Sequence, residues 1–75
     1  MSNKEIAKVI GENVKKYRQE KKYTQKRLAD IAGIDRTAIT KLERGQFLPR
    51  VTFLLAISQA LNVELICLFT GVKSL

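Results

Sequence analysis

A chain of 75 residues with one cysteine and no histidine is a single domain without an internal disulfide, a zinc site or histidine-based catalysis. Its 45% of hydrophobic residues suits a packed core rather than a disordered tail, but so short a chain needs compact helices, self-association or both. The net charge of +7 suits either an anionic partner or plain solubility, and no apolar run approaches the roughly 20 residues of a membrane span.

Along the chain, Ile6, Ile10, Val14 and Tyr17 recur at helical spacing, which predicts a first helix from about Asn3 to Lys22 with its lysines off the apolar stripe. Thr24 suits the N-cap of a second helix, Gln25 to Ala32, although Arg27 stands where a capping box needs glutamate. Gly33 ends that helix, and Asp35 caps a third running from Arg36 to about Arg44, closed by Gly45. Pro49 breaks the next loop. Val51, Leu54, Leu55, Ile57, Ser58 and Leu61 then mark a fourth helix ended by Asn62. A last short helix covers about Glu64 to Phe69 and stops at Gly71. Nothing alternates with period two, so the fold is expected to be all-α, with five helices and no strand.

Charge is unevenly placed along these elements. Residues 1–50 hold thirteen of the fourteen Lys/Arg and six of the seven Asp/Glu, whereas the remainder is neutral and apolar. The first part could meet phosphates and the second another protein surface. Met1 to Glu5 is polar with no apolar stretch behind it, so no signal peptide and a cytoplasmic location are expected.

The informative stretch is Thr24 to Gly45. Two short helices separated by three residues, one of them glycine, form the helix-turn-helix pattern. Ala29 is small where the helices cross, and Leu28, Ile31, Ile34, Ile39 and Leu42 are spaced to face one shared core. That leaves Arg36, Thr37, Thr40 and Lys41 on the outer face of the third helix, polar and able to donate to base edges.

Thr24-Gln25-Lys26-Arg27-Leu28-Ala29 and Gly33-Ile34-Asp35-Arg36-Thr37-Ala38-Ile39 closely resemble the phage repressor and Cro type of domain, the XRE family. Glu43-Arg44-Gly45, Pro49 and Ala60-Leu61-Asn62-Val63 extend the resemblance over about Ile10 to Phe69. It implies a compact five-helix lambda-repressor-like fold that binds double-stranded DNA, regulates transcription and carries no cofactor. The Asp35-Arg36-Thr37 and Glu43-Arg44-Gly45 tripeptides also look like those of restriction–modification controller proteins.

Carried over to these positions, the resemblance gives Arg36, Thr37, Thr40 and Lys41 the reading of bases. Thr24, Gln25, Arg44 and Gln46 would hold phosphates. Arg18 and Glu43 would form a structural ion pair, with Glu43 making no DNA contact and Arg18 also able to lie near a phosphate. Arg50 replaces the family's usual helix-capping serine or threonine, losing a cap and adding a possible phosphate contact.

The last helix departs from the family's polar pattern. Leu65, Ile66, Cys67, Leu68 and Phe69 make it apolar almost all round, and such a helix has to be covered on more than one side. Leu65, Ile66, Cys67 and Phe69 are therefore expected to form a two-fold homodimer interface within a single domain spanning residues 1–75; the alternative is burial in the chain's own core. Tyr17, Phe53 and Phe69 fall on apolar stripes and read as core, Tyr23 as partly exposed, and Cys67 as a small hydrophobe. Nothing suggests a metal, a membrane or a small-molecule ligand. The rival functional class is an antitoxin-like or other protein-interaction module that keeps DNA binding for autoregulation. An enzyme is disfavoured because no nucleophile stands with a base.

Overall fold

Ser2 opens the first helix with a capping box. In the computed structural model, which describes residues 1–73 of the chain, the Glu5 amide donates to Ser2 Oγ at 3.1 Å and the Ser2 amide to Glu5 Oε1 at 3.0 Å. This S-x-x-E pair lies within the polar Met1–Glu5 stretch and is a local helix-start signal. Ser2's backbone amide first, and then its hydroxyl, hold the Glu5 carboxyl below its ordinary value.

Helix α1 runs Asn3–Glu20, two residues short of the expected end at Lys22. Lys22 takes φ +60°, its amide donates to Gln19 O at 2.9 Å, and the Tyr23 amide donates to Arg18 O at 3.1 Å. That is a Schellman ending with lysine at the position glycine usually fills. Helix α2, Gln25–Ala32, is capped by Thr24, whose side chain accepts from the Arg27 amide, and ends at Gly33 with φ +69°. Asp35 accepts from the Thr37 amide to start α3, Arg36–Glu43, so Arg44 is its C-cap rather than its last turn.

Helix α4, Val51–Leu61, has Arg50 at its N-cap with no side-chain bond to the helix, and Asn62 in the left-handed conformation at its end. The last expected helix is a single 3-10 turn, Leu65–Phe69. Its geometry is set from outside, because Asn13 of α1 donates to both Leu68 O and Thr70 O at 2.8 Å. Both amide hydrogens are spent on carbonyls that a short helix end would otherwise leave unpaired. Four helices and this turn are the regular elements of the described residues, with no strand among them.

The elements close around Val14, Leu28, Ile39, Leu42, Ile57 and Leu61, all inaccessible to solvent, and Leu68 brings the 3-10 turn into the same core. Burying each such side chain contributes about 1.5–3 kcal/mol. Close approach of α1 to the end of α3 depends on Gly11, where an added Cβ would collide with Leu42 O and lie 3.0 Å from Glu43 O.

One core expectation fails. Ile31 is 40% exposed, although the spacing placed it inside with Leu28. In a helix turning about 100° per residue, Leu28, Ala29 and Ala32 define the inner face of α2, and Ile31 sits roughly 110° from its centre. Val51 and Leu55 likewise remain exposed on α4 while Leu54, Ile57 and Leu61 face inward.

Candidate nucleic-acid interface

Helix α3 is only eight residues long, too short to be stable alone, so its orientation is set by what it packs on. Ile39 and Leu42 anchor its inner side. Its outer side carries Arg36, Thr37 and Lys41, all exposed, with Thr40 half-buried at the edge facing α2. A shallow groove lined by Asp35, Thr37, Ala38, Lys41, Gln46 and Phe47 runs beside it, so Thr37, Lys41 and Gln46 share one surface.

Behind that surface lies a polar network joining three helices. Arg18 of α1 donates from Nε to Glu43 Oε2 at 2.7 Å and from Nη2 to Glu43 Oε1 at 3.0 Å. Its Nη1 donates to Tyr23 O at 2.8 Å, tying the α1–α2 turn to the same group. The two side chains are only 11% and 3% exposed. A bidentate, nearly dry Arg–carboxylate pair is both strong and directional, and it holds α1 against the C-terminal end of α3. Gln25 extends the network by donating from Nε2 to Glu43 Oε1 at 3.1 Å. Thr40 joins it by donating from Oγ1 to Gln25 Oε1 at 2.8 Å. Every buried side-chain polar atom among the described residues has a partner.

The expected phosphate-contacting residues lie around this core. Thr24 is exposed, with its hydroxyl oxygen engaged by the Arg27 amide. The first two amides of α2, those of Gln25 and Lys26, have no partner available within the helix. Gln25 is half-buried, and Arg44, Gln46 and Arg50 are exposed. Lys26 is spent in a solvent-exposed pair with Asp30 at 3.0 Å, an arrangement that contributes little to stability.

The C-terminal turn presents a different surface. Ile66 is 77% exposed and Leu68 fully buried, with Leu65, Cys67 and Phe69 between these extremes. The Cys67 thiol lies beside the Tyr17 phenol of α1. Desolvation first, and then this thiol, raise the phenol above its ordinary value. The sequence reading named neither Asn13, which grips the turn, nor the Gln25–Thr40 bond. An asparagine beside an apolar stripe was a weak signal for the first. The second, joining residues 15 apart, left none.

Comparison with known proteins agrees with this architecture. Residues 14–66 match the model of a helix-turn-helix family. The HTH-type transcriptional regulator YqaE of Bacillus subtilis is 43% identical over 63 residues, which are 84% of this chain but only 54% of that protein. The chain thus spans about half the length of that relative. Control protein C.SmaI of Serratia marcescens is 33% identical over 72 residues, 93% of this chain and 86% of that protein. Among solved structures, the restriction-modification controller protein C.AhdI of Aeromonas hydrophila superposes with a TM-score of 0.82 at 30% identity. That alignment covers 84% of this chain and 96% of the controller. The family match, the identities and the arrangement of α2 and α3 give one conclusion: the chain belongs to the XRE-type helix-turn-helix family of DNA-binding transcriptional regulators.

Proposed function

We propose that this chain binds duplex DNA sequence-specifically as a homodimer on a two-fold symmetric operator and regulates transcription in the cytoplasm, as a controller of a restriction–modification system. The observation that carries this reading is the outer face of α3, where Arg36, Thr37 and Lys41 stand exposed on a helix held from behind by the Arg18–Glu43 pair. Arg36 donates in bidentate fashion to guanine, Thr37 offers its methyl to thymine, and Thr40 and Lys41 reach bases one turn later. Thr24, Gln25, Arg44, Gln46 and Arg50 take phosphates and set the register.

The controller assignment is supported by likeness to C.SmaI and C.AhdI over most of their lengths. Dimerisation is supported by exposed Ile66, flanked by Leu65, Cys67 and Phe69. A symmetric dimer places two α3 helices about one DNA turn, roughly 34 Å, apart.

Selection of bound sequences from a random duplex pool tests the reading. The expected result is a two-fold symmetric motif whose preference relaxes in Arg36→Ala, at a cost of about 1–3 kcal/mol on the selected site. No enrichment, with binding that disappears steeply as salt rises, would reduce the interaction to charge alone.

A further inference from the structure

The network behind α3 settles where one hydrogen atom points, and that hydrogen decides what the helix can read. Glu43, chelated by Arg18 through both carboxylate oxygens, is ionised and can only accept. The Gln25 group that faces it, 3.1 Å from Oε1, is therefore the amide nitrogen. This leaves the amide oxygen of Gln25 facing Thr40 at 2.8 Å. That oxygen also only accepts, so the Thr40 hydroxyl is the donor. The one other partner within reach of this hydroxyl is Arg36 O at 3.3 Å, again an acceptor inside the protein. On either geometry the single hydroxyl hydrogen of Thr40 points inward. The hydroxyl oxygen keeps a lone pair with which to accept a further hydrogen bond.

We propose that Gln25 is a specificity-determining residue, acting through Thr40. By consuming the Thr40 hydrogen it makes Thr40 an acceptor-only reader. Thr40 then accommodates adenine or cytosine, which present amino donors in the major groove. It rejects guanine, whose N7 and O6 are both acceptors. The proposal rests on the assignment of α3 as the base-reading helix and gives Gln25 a second task beside phosphate binding. Arg36 is free of this constraint, so the two ends of one helix face select opposite chemistry.

The test is selection from a random duplex pool with the full chain and three variants. Thr40→Ala locates the operator position that Thr40 reads, as the one whose preference it flattens. In the parent, guanine is depleted at that position on the contacted strand by about three- to tenfold, the scale of one net hydrogen bond. Gln25→Ala removes the acceptor, and Gln25→Lys keeps a donor toward Glu43, and hence the fold, while presenting a donor to the Thr40 oxygen. In each variant the hydroxyl keeps only the longer 3.3 Å contact to Arg36 O, which it can exchange for an acceptor on the DNA, and guanine recovers at that position alone. If Gln25→Lys binds every sequence with proportionally altered affinity and guanine stays depleted, Gln25 is a phosphate anchor only and the proposal falls. A parent motif that tolerates guanine at the Thr40 position also overturns it, while leaving the regulator reading intact. A parent that enriches no motif overturns both.

Discussion

At the α2–α3 end of the molecule, Arg18, Gln25, Thr40 and Glu43 satisfy one another's hydrogen bonds within a single chain. At the C-terminal end, the 3-10 turn buries Leu68 and leaves Ile66 77% exposed. The contrast follows from the range and direction of the forces involved. A buried polar group needs a partner at about 3 Å in the right direction or its desolvation goes uncompensated, so the network has to be completed as the chain folds. Apolar surface makes no directional demand and can be covered later by a second molecule. A small domain can thus complete its polar network by itself while part of its apolar surface stays uncovered.

The contrast breaks most visibly in Glu43→Ala. Arg18 would be left almost dry and unpaired, at a cost on the order of 3–5 kcal/mol, a large fraction of what a domain of this size possesses. Chemical denaturation checks this. A loss under about 1 kcal/mol would mean that the pair behaves as an exposed one.

Ile66→Glu sharpens the other half. A residue this exposed should change folding stability by no more than about 0.5 kcal/mol, whereas a charge at the centre of an apolar contact should abolish association. Sedimentation of a dimeric parent and a monomeric variant of equal folding stability is the expected pair of results. An unchanged mass for the variant would remove Ile66 from the interface.

The smallest effect concerns the start of α1. Glu5 titrates below its ordinary value of 4.5, so its capping box contributes stability above that pH and loses it as the pH falls through the lowered value. An NMR titration should place the Glu5 midpoint below 4.5, and Ser2→Ala, which removes the hydroxyl but keeps the backbone amide, should raise it only part of the way back. A parent midpoint at the ordinary value would show the cap absent in solution.

Sequence alone determined the local architecture. Thr24, Gly33, Asp35 and Asn62 each bound a helix as expected, because caps and apolar periodicity act within about four residues of the chain. The outward side of α3 was legible for the same reason, since Ile39 and Leu42 mark its inner face. Tertiary structure decided the rest. Ile31 loses the core to Ala29 and Ala32 because packing turns the Leu28–Ala29–Ala32 face of α2 inward and leaves Ile31 roughly 110° away from it. Asn13 clamps carbonyls 55 and 57 residues away. Gln25 meets Thr40 and Glu43 across 15 and 18 residues. Such bonds form only when crossing angles bring two side chains within about 3 Å, a condition that no pattern confined to one helix can encode.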